Sequence, residues 1–376
     1  MDFSLNEEQQ MLADLVARFV ERQCDFEARR VSAASDRGWS EDNWTALAET
    51  GLLALALDEQ YGGLGAGAEE MLVVMEAFGR GLVLEPYLAS ALVGAPLLQR
   101  VGSAQHKEHL LPKLATGELR ISLATLEPQS RFDLFDVSCI ARETQDGFRL
   151  EGRKSVVSHG DSADWLIVSA RTCGAQTDRH GISLFLIDAN SPGVIVRSFA
   201  GLDGQRVAEV QFDGVNVARD ALLGPMHEAL EDLEWAVDRA CFALCAEAVG
   251  CMDRLIELTV EYLQTRKQFG KPIGTFQVLQ HRVAEMLGLS EQARSITHYA
   301  AANLNGEHDD RARAVSAAKT LVGRAGRLIG QHATQLHGGM GMTDELAAGW
   351  FFKRLTVIDM TWGDSDHYVE RYGTLM

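Results

Sequence analysis

The chain has 376 residues, 46% hydrophobic and 23% charged, with a formal net charge of −18. That length exceeds one ordinary core, so two or three domains are expected, and the composition is that of a globular chain. The acidic surplus argues against nucleic acid, whose phosphates need clustered cations, and against an anionic membrane surface; its plainest reading is solubility.

The opening stretch Met1-Asp2-Phe3-Ser4-Leu5-Asn6-Glu7-Glu8 lacks the basic and apolar regions of a secretory signal. No apolar run is long enough to span a bilayer, so a cytoplasmic protein is expected. Residues 1–118 are helix-patterned: Leu12, Leu15, Val16 and Phe19 recur at helical spacing, as do Met71, Val74, Met75 and Phe78. Tyr61-Gly62-Gly63-Leu64-Gly65 interrupts the helices, and Pro112 with Gly117 closes the stretch.

From 119 to 222 the pattern shortens. Ile121–Leu126, Gly147–Gly152, Trp165–Ala170, Ile182–Ile187, Gly193–Val196 and Val207–Phe212 read as short strands between turns, which predicts a small antiparallel β-barrel or sandwich. From 227 to 376 the chain is helical again. Glu228–Thr265, Phe276–Asn303, Asp309–His337 and Glu345–Met360 predict a four-helix bundle. The fold class expected is therefore α+β, mostly α. A Rossmann domain is disfavoured, because no β-α-β alternation and no G-x-G-x-x-G turn occurs.

The six cysteines include no C-x-x-C pair, so no metal site is expected, and Cys241 and Cys245 in an apolar helical run read as small core residues. Two stretches carry chemistry. Arg266-Lys267-Gln268-Phe269-Gly270-Lys271-Pro272-Ile273-Gly274 gathers cations, a ring and glycines in one turn, followed by Thr275-Phe276-Gln277. Such a turn suits a dinucleotide, with cations for the pyrophosphate, a ring for a heterocycle, and glycines for close approach. It also suits a plain helix C-terminus, where cations complement the dipole and glycine ends the helix. The second is Gln335-Leu336-His337-Gly338-Gly339-Met340-Gly341-Met342, whose paired glycines allow a ligand near the backbone or simply break a helix.

Those motifs, with Leu5–Gln10, Tyr61–Gly65, Gly102–Gln105 leading to Leu111–Glu118, and Leu150–Lys154, stand in one order along the chain. In that order the sequence resembles the acyl-CoA dehydrogenase family over nearly its full length. Gln129–Leu134, Leu244–Gly250, Phe352–Thr356 and Gly363–His367 make it similar to the small subunit of pimeloyl-CoA dehydrogenases and to subunits of heteromeric dehydrogenases that trim steroid side chains.

The resemblance implies an FAD enzyme that removes an α-proton and a β-hydride from an acyl-CoA, passing electrons to an electron-transfer flavoprotein. It implies a homo- or hetero-oligomer in which Arg266 and Phe269 reach the FAD of a neighbouring subunit, Arg266 at the pyrophosphate and Phe269 near the adenine. Gln277 joins these as a cofactor residue, and Gln335, Gly338 and Gly339 fall on the adenosine and pyrophosphate side. Ser158 would face the flavin ring. Val156 stands where the family often has a bulky aromatic, and Phe132 where it has a serine on the phosphates; Arg131 beside it offers a compensating charge or is an ordinary surface arginine.

The family base is a glutamate before a glycine in a C-terminal loop, and here that position is Trp362 before Gly363. In another branch the glutamate sits on the first bundle helix, and here that position is Ala240. Neither side chain accepts a proton. Glu247 is the nearest replacement. It lies seven residues after Ala240, about 20° short of two turns and roughly 10 Å along the helix, among apolar neighbours that would raise its pKa. The competing role is a structural carboxylate paired with Arg239 or Arg254. Asp364 and Asp366 are the next candidates for the base, with flavin contact or turn capping as the favoured role. The readings left open are a working dehydrogenase subunit for a bulky or long acyl-CoA, a catalytically silent partner subunit, and a flavin oxidase or monooxygenase.

Overall fold

A computed structural model describes residues 5–376; Met1 to Ser4, part of the stretch read against a signal sequence, lie outside the described residues. Six helices come first: α1 (Glu7–Gln23), α2 (Phe26–Ala34), α3 (Glu41–Glu49), α4 (Ala68–Gly81), α5 (Ala95–Val101) and α6 (Ala104–Ala115). Asn6 starts α1 with a capping box: its Oδ1 accepts the Gln9 N–H at 2.8 Å, and the Gln9 side chain accepts the Asn6 N–H at 3.0 Å. A π-helical turn, Leu88–Gly94, leads into α5.

Eight strands follow: β1 (Ile121–Ala124), β2 (Ile140–Glu143), β3 (Gly147–Ser158), β4 (Trp165–Arg171), β5 (Ile182–Asp188), β6 (Val194–Ala200), β7 (Arg206–Ala218) and β8 (Leu222–Leu223). The long α7 (Leu230–Thr265) ends at a two-strand hairpin, β9 (Lys267–Gln268) and β10 (Lys271–Pro272). Then come α8 (Gln277–Asn303), α9 (His308–His337), α10 (Ala347–Met360) and α11 (Ser365–Thr374).

By internal packing the chain divides into two compact units, the first Met1–Val31, Ala68–Val83 and Cys241–Met376, the second Ser32–Gly67 and Leu84–Ala240. In the first unit α1 packs on α4, with Phe19 and Phe78 rings 6.1 Å apart. Helix α4 crosses α7 at backbone contact: a methyl on Gly79 would lie 2.0 Å from the Glu247 carbonyl oxygen, and one on Gly250 would lie 1.9 Å from that of Glu76. Helix α9 packs directly against α8, α10 and α11. The four helices expected after residue 227 are present, and α11 is an addition to them.

The second unit holds the sheet, and here the expectation of an antiparallel barrel is corrected. The eight strands form a mixed sheet in the order β6-β7-β3-β2-β4-β5-β8, with β1 beside β4. Both β1–β4 and β2–β4 pair in parallel. The sheet does not close, because β6 and β8 are open ends. Alternation reports which face of a strand is buried but is silent on strand direction and on closure. The central β4 and β5 are buried on both faces, as strands covered on two sides are, while β6 is largely exposed as an edge. No helix among the described residues is long and apolar enough to cross a membrane.

Candidate functional site

The hairpin after α7 is built on two residues with positive φ. Phe269 (52°) and Gly270 (79°) form the turn, and Gln268 pairs with Lys271 across it. Consecutive left-handed residues match the twist of a tight hairpin. At Phe269, which is not glycine, this costs about 1–2 kcal/mol. The Arg266 carbonyl closes the hairpin by accepting the Ile273 N–H at 2.9 Å. Arg266 is exposed, and Phe269 is 91% exposed, touching Phe276 edge-on at 6.1 Å. Gln277, also exposed, is the first residue of α8.

The second stretch is the end of α9. Gln335 is exposed on its last turn, and the helix stops at Gly338, whose φ of 62° with ψ −142° suits glycine alone. A Cβ on Gly270, Gly338 or Gly339 would meet nothing within 4 Å, so tight packing does not dictate these glycines. Within the first unit the two stretches are tied together by Tyr262, one turn before Arg266, stacked on His337 with ring centroids 4.6 Å apart and 29° between planes. Burial pushes the His337 pKa down, against its hydrogen bond to the Ala333 carbonyl at 2.9 Å. The exposed donors here include the Arg266 guanidinium, the Lys267 and Lys271 ammonium groups, glutamine amides and open glycine backbone. That set fits an anionic dinucleotide such as FAD.

In the second unit, Ser158 ends β3, half-buried, its carbonyl accepting the Ser122 hydroxyl at 2.6 Å. Between Lys154 and Val157 the β3–β7 register shifts, and Val156 bulges out with φ 52°, 62% exposed. The Lys154 ammonium is fully buried, donating to Glu127 Oε1 at 2.7 Å, the Thr125 carbonyl at 3.1 Å and Ser169 Oγ at 2.9 Å. Glu127 also accepts the Ser138 N–H (2.8 Å) and hydroxyl, the Cys139 N–H (3.1 Å) and the Gln129 amide (2.9 Å). Burial pushes the Glu127 carboxyl up; the Lys154 ammonium and these donors outweigh it and leave it below the usual range.

Glu247 is buried, and Arg354 of α10 grips it with a fork, Nε to Oε1 at 2.6 Å and Nη2 to Oε2 at 2.7 Å. A structural pair was one of the two roles expected, but its arginine is neither of those named. Arg254 pairs with Glu257 and Glu261, and the Arg239 guanidinium lies 4.9 Å over the Trp235 ring. Ala240 is fully buried. Trp362 is buried with φ 53°, and its carbonyl accepts the Tyr368 hydroxyl at 2.9 Å. Lys319 donates to the carbonyls of Ile358 (2.7 Å), Asp359 (3.3 Å) and Thr361 (3.0 Å), holding the chain just before Trp362. Asp364 is the N-cap of α11, accepting the His367 N–H at 2.9 Å, and exposed Asp366 lies 3.7 Å from Arg324.

Sequence reasoning missed Arg354, Lys319, Glu127 and the Tyr262–His337 stack. Both helices carry other charged residues, so neither Lys319 nor Arg354 stands out by pattern alone. No group of three or more His, Cys, Asp and Glu side chains among the described residues is placed to hold a metal ion.

Three family models match the chain: the acyl-CoA dehydrogenase N-terminal domain over residues 6–118, its middle domain over 122–215 and its C-terminal domain over 231–370. Among curated relatives, acryloyl-CoA reductase (NADH) of Anaerotignum propionicum is 27% identical over 97% of this chain and 93% of its own. Among solved structures, the Tcur3481-Tcur3483 steroid ACAD superposes with a TM-score of 0.88 at 30% identity, covering 99% of this chain and 98% of that one. PigA with FAD and proline superposes with a TM-score of 0.91 at 27% identity, covering 100% and 98%.

Proposed function

Because this chain belongs to the acyl-CoA dehydrogenase family, FAD-dependent oxidoreductases acting on the CH–CH bond of acyl-CoA thioesters, we propose that it is one subunit of a heteromeric dehydrogenase for a bulky acyl-CoA, contributing flavin-binding surface while a paralogous subunit contributes the base. One observation carries this reading: both oxygens of Glu247 are taken by Arg354, while Trp362 and Ala240 occupy the other two positions from which a base is expected. To accept an α-proton, Glu247 would have to leave a buried, doubly hydrogen-bonded pair. The joined components of the Tcur3481-Tcur3483 steroid ACAD support both the paired architecture and the bulky substrate.

FAD, when bound, takes the β-hydride. In the proposed assembly Arg266 holds phosphate oxygens and Phe269 covers the adenine of a flavin shared with the neighbour; Gln277, Gln335, Gly338 and Gly339 orient its dinucleotide half. Ser158 donates toward the flavin ring. Asp364 and Asp366 shape the adjoining loop. Electrons leave to an electron-transfer flavoprotein in the cytoplasm. The sequence modules are 1–118, 119–222 and 227–376, in keeping with the spans of the family models.

The test is anaerobic titration with acyl-CoA thioesters. The chain with its paralogue should bleach the flavin absorbance, and the chain alone should not. Bleaching by the chain alone would sink this reading in favour of a second: Glu247 as its own base. That reading is favoured by the position of Glu247 on the same face of α7 as Ala240, two turns on. In that case Glu247→Gln abolishes bleaching and leaves FAD bound. Peroxide release under air would instead mark an oxidase.

A further inference from the structure

We propose that Ser122 is a positioning residue: its buried hydroxyl holds the end of β3 in the conformation that turns Ser158 away from the core. The inference rests on the reading above, in which Ser158 donates toward the flavin ring, and adds the group that aims it.

Strand β3 changes phase just before Ser158. Phe148, Leu150 and Lys154, all at even positions, are buried. Unbroken alternation would put Val156 and Ser158 inside and Val157 outside. The reverse is found. Lys154 pairs with Val210 and Val157 with Ala208, so Ser155 and Val156 together stand opposite the single Glu209. That extra residue is a β-bulge, which re-aims the side chains after it. Val157 is 1% exposed and takes the core position, while Val156 is 62% exposed and Ser158 is half-buried. The bulge thus turns outward a hydroxyl that a regular strand would bury.

The conformation is strained on both sides of Ser158. Val156 has φ 52° and His159 φ 50°, a left-handed region that L-residues rarely adopt and that a β-branched valine suits least. Such backbone persists only where its surroundings over-determine it. Ahead of the bulge, β3 is anchored by the buried Lys154 ammonium. At the bulge, the Ser155 N–H donates to the Leu126 carbonyl at 2.8 Å. Beyond it, the His159 N–H donates to the Arg206 carbonyl at 2.9 Å. Ser122 supplies the side-chain tie to Ser158 itself: it is 1% exposed, and its hydroxyl donates to the Ser158 carbonyl at 2.6 Å. Ser122 stands on β1, paired opposite Leu166 of β4, whereas Ser158 pairs with Val207 of β7. The hydroxyl therefore fastens the re-aimed end of β3 to a second part of the sheet. A donor held in place in advance loses less freedom when its ligand arrives.

The experiment titrates FAD into apoprotein prepared from the full chain with any co-purifying partner subunit. It reads the Kd and the positions of the visible flavin absorption bands. Ser158→Ala should weaken FAD binding and move the bands. Ser122→Ala should weaken FAD roughly two- to tenfold, the worth of one hydrogen bond, and move the bands in the same direction by less. The double variant should match Ser158→Ala in both, because Ser122 acts through that hydroxyl. A merely structural role for Ser122 would lower stability and leave the bands in place. Ser122→Cys, close in size with a weaker donor, replaces the alanine variant if that one does not fold. Parental affinity and bands in the folded Ser122 variant, or a Ser122 effect that persists undiminished beside Ser158→Ala, overturn the proposal. Parental affinity and bands in Ser158→Ala overturn instead the reading of Ser158 on which it rests.

Discussion

Glu247 and Arg354 form a closed fork between α7 and α10: each carboxylate oxygen receives one guanidinium N–H, at 2.6 and 2.7 Å, and both side chains are buried. Such a pair contributes little against an apolar replacement of equal volume, but breaking it strands a charge. Arg354→Met should therefore cost about 3–5 kcal/mol of unfolding free energy in a denaturant titration, and the double variant Glu247→Leu/Arg354→Met should regain most of it. A single variant as stable as the parent would show that the fork does not hold the two helices together.

The same stretch of α7 is also fixed by the glycine contacts with α4. At Gly79 and Gly250 an added methyl would overlap a carbonyl oxygen of the opposite helix, at 2.0 and 1.9 Å, and backbone on both sides leaves no flexible atom to move. Gly79→Ala and Gly250→Ala should each destabilise by at least about 1–3 kcal/mol, the usual cost of overpacking, although alanine is the better helix former. Equal or higher thermal stability in either variant would mean that the two helices can separate without loss.

Phe269 is a different case, because a ring 91% exposed adds almost nothing to the stability of the protomer that carries it. Phe269→Ser should leave the unfolding midpoint within about 0.5 kcal/mol of the parent. FAD affinity should fall, and so should the fraction of protein that sediments as an oligomer. If both stay at parental values, the ring does not serve a neighbouring subunit.

The helices were legible from apolar periodicity, which needs only one strand of chain. Met71, Val74, Met75 and Phe78 recur at helical spacing, and all four are buried. The sheet was legible as strands but not as topology. The parallel partners of β4 are set by the excursion 125–139, which is pinned by Glu127 and Lys154, 27 residues apart. A turn motif such as Phe269-Gly270 is local and was visible. Glu247 was visible as a buried carboxylate, but its partner lies 107 residues away on another helix, a distance that no local pattern spans. The stacking of Tyr262 on His337 was invisible for the same reason.

His337 makes stability depend on pH in one direction. Burial lowers its pKa in the folded chain, and the Ala333 carbonyl only partly opposes that. Above the ordinary histidine value of about 6.5 both folded and unfolded chains hold it neutral. Below it the unfolded chain gains a proton that the folded chain does not, so stability falls as pH drops through that value toward the lowered one. His106 and His298, also lowered by burial, act in the same sense. Thermal unfolding followed from pH 7.5 to 5.5 should show the midpoint falling, and His337→Gln should show a shallower fall. A parallel decline in the two proteins would remove His337 as a contributor.

Lys319 sets the conformation of the loop in which Trp362 stands. Its ammonium is the shared donor for three carbonyls at the end of α10, and the fourth, that of Trp362 itself, is held by Tyr368, whose oxygen also lies 2.9 Å from the Cys241 sulfur. With φ at 53° for Trp362 and 128° for Gly363, the loop is bent into a shape that L-residues rarely adopt unaided. Lys319→Met keeps the stem of the side chain and deletes the donors. It should cost at least about 2 kcal/mol, because an unpaired buried acceptor costs about 1–3 kcal/mol. Amide exchange should quicken selectively across residues 361–364, while α8 keeps its protection. Uniform exchange throughout α9 and α10, with no selective change across residues 361–364, would mean that Lys319 supports the helices generally and leaves the Trp362 loop to shape itself.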